Sequence, residues 1–254
     1  GSLSLSEFSK SKWRRSLGVC WTIIRSVAAL VILAVVLAGV ATTVMVLRSG
    51  DDEFVVPQIP QLVNDVSRLN AVRVAEVISP QSVEDIQQAL RDSDGRVSIG
   101  GGRYSQGGQT AYPDSLHIDM RSFNKVLALD TAKKQVTVQT GISWRQLQSE
   151  IDPHNLSIKI MQTYANFSVG GSLSVNVHGR YIGEGPLVGS VLGLKLVLAD
   201  GSLLAASPEE NADIFYGAIG GYGGLGVIVE ATLQLEDNLP VERKTRTMPV
   251  DDYA

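Results

Sequence analysis

Residues 97–109 read VSIGGGRYSQGGQ, a short apolar run followed by five glycines within the nine positions from Gly100 to Gly108. Glycine loses more backbone entropy on ordering than any other residue, so such a cluster marks positive φ angles or close approach of the backbone to a partner. Two further clusters follow, Gly170-Gly171 within NFSVGGSLSVNVHGR (166–180) and the glycines of IGGYGGLG (219–226). Backbone N–H groups in such loops form concave nests for anions, and three loops together would suit a ligand as long as a pyrophosphate.

The flanking periodicity narrows the chemistry. Val72–Ile78 predicts a strand, SVEDIQQALRDSDG (82–95) a helix with Ser82 and Asp85 at capping-box spacing and Val83, Ile86 and Leu90 on one face, and Arg96–Ile99 the next strand. The first glycine cluster therefore leaves a β-α-β unit. Strands are expected at Leu116–Asp119, Val126–Leu129 and Gln135–Thr140, ahead of a helix capped by Ser143 and Gln146 that carries Trp144 and Leu147. SVLGLKLVLADGSLLAAS (190–207) predicts two strands joined by a type I′ turn at Asp200-Gly201. SPEENADIFYGAIGG (207–221) predicts a helix with Ser207 as N-cap, Pro208 first and Glu210 closing the box, and GVIVEATLQL (226–235) a final strand.

Several phosphate chemistries fail on this order. No Gly-Lys pair follows any glycine loop, which excludes a Walker A site. Gly221 to Gly226 matches GxGxxG, but a dinucleotide fingerprint follows a strand and opens a helix, whereas here a helix precedes and a strand follows. VGGSLS misses the GxSxG spacing of a serine hydrolase.

Composition sets further bounds. The 254 residues are 44% hydrophobic and 19% charged, which describes a folded protein, and the net charge of −4 with no basic or aromatic stripe beyond residue 50 argues against nucleic acid. The single cysteine, Cys20, excludes disulfides within the chain, and His117, His154 and His178 are too scattered for metal-ligand spacing. No metal is expected.

The first fifty residues differ from the rest. Ser26–Leu47 carries no charge, and 22 residues at about 1.5 Å each span about 33 Å, enough to cross a bilayer. Lys10, Lys12, Arg14, Arg15 and Arg25 precede it and only Arg48 follows before Asp51, Asp52 and Glu53, which puts the N-terminus in the cytoplasm and the globular part outside it. A cleaved signal peptide is the competing reading, on the small residues of AGVA (38–41), although the apolar stretch exceeds a signal peptide's apolar core. The expected organisation is a basic segment (1–25), a transmembrane helix (26–47), a linker (48–61) and a globular part (62–240) followed by residues 241–254.

The motifs SIGGGRYSQGG, SVGGSLSVNVHGR, LVLADGSLL and SPEENADIFYGAIGGYGGLGVIVEATLQL, in this order, resemble the FAD-binding domain of the vanillyl-alcohol oxidase family from about Val72 to Leu235. Within it the chain looks most like the aldonolactone and alditol oxidases and the decaprenylphosphoryl-ribose oxidases. The resemblance implies an α+β fold, a PCMH-type FAD-binding domain of two α+β subdomains. It implies that Gly100, Gly101, Gly102, Arg103, Tyr104 and Ser105 supply the loop against the FAD pyrophosphate, with Gly170, Gly171 and Ser174 along the flavin and ribityl side. Gly224, Gly226, Val227 and Ile228 would lie along the adenosine half. Asn176, His178 and Arg180 would stand near the isoalloxazine or the substrate mouth, with His178 and Arg180 as candidate catalytic residues. The side chains of Tyr104, Tyr164 and Tyr222 read as packing residues.

Two departures from the family pattern matter. Many relatives read GGGHS, with a histidine bonded covalently to flavin, where this chain has Arg103; a guanidinium cannot form that link, so FAD is expected to be non-covalent. The family also continues into a substrate-binding domain where this chain ends at TMPVDDYA, so the sequence is expected to be a fragment holding the FAD-binding half. The implied activity is oxidation of a hydroxyl-bearing carbon of a sugar, polyol, lactone or lipid-linked sugar, with oxygen or quinone as electron acceptor. The alternatives are a non-catalytic flavin or nucleotide-binding module in a membrane complex and a reductase using a nicotinamide partner.

Overall fold

The computed structural model describes residues 29, 32–40, 43, 61–181 and 183–253. Packing divides the chain into two units, Gly1–Gln58 and Ile59–Ala254. In the first, the described residues at 29, 32–40 and 43 are helical and exposed. No helix among the described residues is long and apolar enough to cross a membrane, and the rest of the expected 26–47 span, with the basic segment and nearly all of the linker, lies outside them.

In the second unit, a two-stranded ribbon pairs β1 (Leu62–Val63) with β2 (Val72–Arg73). A parallel sheet of order β3-β5-β4 follows, built from β3 (Glu76–Ile78), β4 (Val97–Gly100) and β5 (Leu116–Asp119), with α1 (Val83–Asp92) as the crossover from β3 to β4. The capping box forms as the spacing predicts: Ser82 accepts from the Asp85 N–H and Asp85 accepts from the Ser82 N–H. Ile86 and Leu90 then face a core with Ile118, Met120 and Phe123, which Val197, Val227 and Val229 complete from the larger sheet.

That larger sheet is antiparallel, in the order β10-β9-β11-β7-β6: β6 (Val126–Asp130), β7 (Gln135–Gln139), β9 (Val191–Val197), β10 (Leu203–Ala206) and β11 (Val227–Asp237). The short strand β8 (Leu156–Ile158) pairs with the far end of β11. Helices α2 (Trp144–Ile151), α3 (Val169–Ser174) and α4 (Ala212–Ala218) contribute Trp144, Leu147, Leu173 and Phe215, all fully buried, to its core. The unit thus mixes helix and sheet around two hydrophobic clusters, the smaller of which draws on both sheets.

Four local expectations change. The Val72–Ile78 strand breaks at Val74-Ala75, where the Val74 N–H donates to Gln61 and the Ala75 N–H to Ser115, so the chain leaves one sheet for another. Leu203 pairs with Val197, which leaves a five-residue loop instead of a two-residue one; only Gly201 has positive φ, whereas a type I′ turn needs two such residues. Helix α4 starts at Ala212 because Ser207 closes a local turn on the N–H groups of Glu209 and Glu210, and Asn211 then takes φ 52°. Gly170 and Gly171 lie in the first turn of α3 and not in a loop.

Candidate functional site

A cavity of about 300 Å³ lies among the ends of these elements. The loop after β4 contributes Gly101 to Ser105, α3 contributes Gly170, Gly171 and Ser174, and the turn before β11 contributes Tyr222, Gly223 and Gly226. The third segment docks on the second: the Gly220 N–H donates to Leu173 and the Tyr222 N–H to Ser174, which satisfies carbonyls at the end of α3. A bulge at Val229 breaks the β11–β9 register, so that Val229 enters the small core while Ile228 lines the cavity. Thr140, which also lines it, grips that bulge through its hydroxyl on the Ile228 carbonyl and its N–H on Val229.

The first loop is held from below. Asp119 ends β5 with 8% of its side chain exposed and takes the Arg103 guanidinium at 2.9 Å and that of Arg121 at 2.6 Å. Burial on its own would raise the Asp119 pKa, but the hydrogen bonds from Arg121 and the charges of Arg103 and Arg121 outweigh it and hold the carboxyl below its ordinary range. Two guanidiniums against one carboxylate leave one positive charge in excess beneath the loop. From above, the Val66 N–H donates to the Arg103 carbonyl and Asn70 to that of Gln106.

His117, fully buried beside Asp119, has its tautomer set by a chain of hydroxyls. Ser115 spends its one proton on the Tyr112 carbonyl at 2.7 Å, so it accepts from Ser98, and Ser98 in turn accepts from His117 Nδ1 at 2.9 Å. The proton is on Nδ1, and Nε2 is a lone-pair acceptor. Burial, reinforced by the charges of Arg103 and Arg121 and opposed by Asp119, brings the imidazole down to about 4, so it is neutral near pH 7. Its Nε2 and the Arg103 Nε are both buried without a partner among the described residues.

The glycines of the first loop divide by cause. A Cβ on Gly100 would meet His117 Nε2 at 2.6 Å, so that glycine makes room for the imidazole, and Gly100 does not line the cavity. A Cβ on Gly101 would collide with the Ser168 hydroxyl, which accepts from the Gly102 N–H at 3.2 Å and from the Gly171 N–H at 3.3 Å. Neither position needs positive φ; the left-handed residue in this part of the loop is Arg103, at φ 61°. Among the described residues, the N–H groups of Arg103, Tyr104 and Ser105 have no hydrogen-bond partner.

Residues 74–207 match the model of a family described as the FAD binding domain, which is more than half of the chain. The chain belongs to that family. Bovine (Bos taurus) L-gulonolactone oxidase is 34% identical over 169 residues, covering 65% of this chain and 38% of that protein. The mitochondrial L-galactono-1,4-lactone dehydrogenase 1 of Oryza sativa subsp. japonica is 31% identical over 176 residues, 68% of this chain and 30% of its own length. Cytokinin dehydrogenase 2 of Arabidopsis thaliana is 29% identical over 197 residues, 75% and 39% respectively. The chain thus spans between three and four tenths of the length of these relatives.

The cavity fits the FAD of this family. Unspent backbone donors on Arg103 to Ser105 and a net positive cluster beneath them suit a pyrophosphate, and the missing Cβ of Gly101 lets the first loop approach Ser168 and the start of α3. Of the residues named from sequence, Gly101, Gly102, Arg103, Tyr104, Ser105, Gly170, Gly171, Ser174, Gly226 and Ile228 line the cavity. Gly100, Asn176, His178, Arg180, Gly224 and Val227 are not among its lining residues. Asn176 accepts from the Val188 N–H, while His178 and Arg180 are exposed. Tyr222, read as a packing residue, lines the cavity with 71% exposure, and Tyr104 both lines it and packs edge-on against Tyr164 and Phe167. Sequence reasoning missed Thr140, Gln162 and Ser168; of these only Ser168 carried a signal, as an N-cap residue ahead of Val169-Gly170-Gly171.

Replacing Gly101→Val should abolish FAD uptake, because the new side chain must displace Ser168 and part the two glycine segments. Titration of the apoprotein with FAD, followed by flavin fluorescence, checks this; parent-like affinity would show that the loop is an ordinary turn. His117 makes a second prediction. Its pKa is depressed in the fold, so below the unfolded value near 6.5 the unfolded chain binds a proton that the native one refuses. The His117 contribution to stability should therefore be lost as pH drops from 6.5 towards 4, by roughly 3 kcal/mol over that window, while loss from carboxylates such as Asp119 continues at lower pH. Urea unfolding at pH 7 and pH 4.5 measures the slope, and His117→Asn should flatten it.

Proposed function

We propose that the chain is the FAD-binding part of a membrane-anchored FAD-dependent oxidoreductase that oxidises a hydroxyl-bearing carbon of a sugar-derived substrate. A sugar lactone is the preferred class, with sugars, polyols and lipid-linked sugars behind it. The observation that carries this reading is the cavity lined by three glycine-rich segments with unspent N–H groups in the first, in a chain whose relatives include a gulonolactone oxidase and a galactonolactone dehydrogenase.

Bound FAD supplies the two-electron acceptor for such a reaction. The residues of this chain bind and orient it: Gly101 to Ser105 hold the pyrophosphate, the Arg103–Asp119–Arg121 cluster offsets its charge, and α3 with the Tyr222–Gly226 turn closes over the remainder. Asn176, His178 and Arg180, on the segment after α3, are assigned to the substrate mouth. FAD is held without a covalent bond, a reading supported by Arg103 in the histidine's place with its guanidinium committed to Asp119. Oxygen or a quinone takes the electrons.

The uncharged stretch 26–47 and the five-to-one imbalance of basic residues around it support a single anchor with the N-terminus cytoplasmic and residues 62–240 on the non-cytoplasmic side, periplasmic in a Gram-negative cell.

The purified full-length protein should show flavin absorbance, release its flavin on acid precipitation, and bleach anaerobically with aldonolactones faster than with simple alcohols. Colour that stays with the precipitate rejects the non-covalent reading; a bound flavin that no lactone, sugar or polyol reduces favours a non-catalytic module. For topology, protease added to spheroplasts should cut residues 62–254, and protection of that segment alongside a cleaved periplasmic control would reverse the orientation.

A further inference from the structure

Gln162 lies between β8 and α3, half-buried, with its side chain on the cavity lining. Its Oε1 is 2.8 Å from Trp144 Nε1 and 2.8 Å from the Ser172 hydroxyl. An indole N–H can only donate, so the amide oxygen must face Trp144, and the opposite orientation would set two donors against each other. Both partners are fixed: Trp144 is fully buried in α2, and Ser172 is 1% exposed in α3. The indole N–H, which also reaches the Ser172 hydroxyl at 3.0 Å, fixes Oε1, and the single Ser172 proton is shared between Oε1 and the Ser168 carbonyl at 2.9 Å. The NH2 group at the other end has no partner among the described residues.

The geometry points to Gln162 as a pre-oriented hydrogen-bond donor to an acceptor atom of the isoalloxazine ring. The inference rests on flavin occupying the cavity. A phosphate is matched elsewhere, by the N–H groups of Arg103 to Ser105 and the excess positive charge beneath them. With the anion answered at the first loop, the Gln162 amide is left for the uncharged part of the ligand. The lining also carries Phe167, Val175 and Ile228, apolar surface suited to a ring and not to a charged group. Because the NH2 is held by Trp144 and Ser172 before any ligand arrives, little rotamer entropy is lost when it donates. Reduction places negative charge on the N1–C2 carbonyl edge of the ring, whereas N5 takes up a proton, so the donor is assigned to that edge and favours the reduced form.

Two variants of the flavin-loaded full chain in detergent separate this role from packing. Gln162→Glu keeps two acceptor oxygens for Trp144 and Ser172 but faces the cavity with a carboxylate. Gln162→Met keeps the length and removes both ends of the amide. The readout is the equilibrium between oxidised and reduced flavin against a reference dye, which does not depend on turnover. Gln162→Met should shift it about three- to tenfold towards the oxidised form, the worth of one ordinary hydrogen bond. Gln162→Glu should shift it further at neutral pH and return towards the parent as acid protonates the carboxyl, which then donates as the amide did. Dye equilibria identical in parent and both variants, with flavin still bound and no pH dependence in Gln162→Glu, would overturn the assignment of Gln162 and leave flavin occupancy standing. A parent protein that takes up no flavin would overturn the occupancy instead.

Discussion

A carboxylate placed almost out of solvent is costly unless its charge is answered, and Asp119 is answered twice. It pairs with Gly100 at the end of the parallel sheet, accepts from the Arg121 N–H to start the short turn Met120–Ser122, and holds the Arg103 guanidinium. These three attachments tie the end of the sheet, the turn into the small core and the glycine loop to one point. Arg103 in a left-handed conformation is unfavourable for a long side chain, and the ion pair is the visible compensation. Because Arg121 brings a second cation, the result is not a neutral pair but a positive site beneath the loop that lines the cavity.

The cavity belongs to neither sheet alone. The first loop issues from the parallel sheet, while α3 and the Tyr222–Gly226 turn belong to the antiparallel part, and Ser168 spans the gap by accepting from Gly102 on one side and Gly171 on the other. A hydroxyl that takes two N–H groups at 3.2 and 3.3 Å satisfies neither strongly. Ser168 is also the N-cap of α3, so one side chain both starts that helix and ties it to the first glycine loop. The bulge in β11 contributes to the same cavity, since it turns Ile228 to the cavity while keeping Val229 in the small core.

The sequence by itself determined what depends on neighbours a few residues apart. Two of the three expected capping boxes, at Ser82 and Ser143, form as their spacing predicts, because a cap is closed by atoms three residues away. The β-α-β unit, the strands at 116–119, 126–130 and 135–139, and the glycine motifs that identify the family were legible for the same reason. Where a local signal failed, a distant partner had outvoted it. The Asp200-Gly201 turn yielded to the register of β9 with β10, and the start of α4 yielded to Asn211, whose amide donates to Ala205 across the turn.

Only the tertiary structure decided why each glycine of the first loop is there. Gly100 answers to His117, nineteen positions from the Ser98 that orients the ring, and Gly101 answers to Ser168, sixty-six positions from the Gly102 N–H it accepts. Composition reports that small residues are present, but the space that a missing Cβ leaves is defined by whatever the fold carries into it. The same holds for Gln162: a glutamine in a chain shows no orientation, and it becomes a directed donor only when the fold sets a buried indole N–H against its oxygen. Hydrogen-bond direction is a property of pairs, and these pairs are assembled by packing between segments whose separation in sequence carries no periodic or local signal.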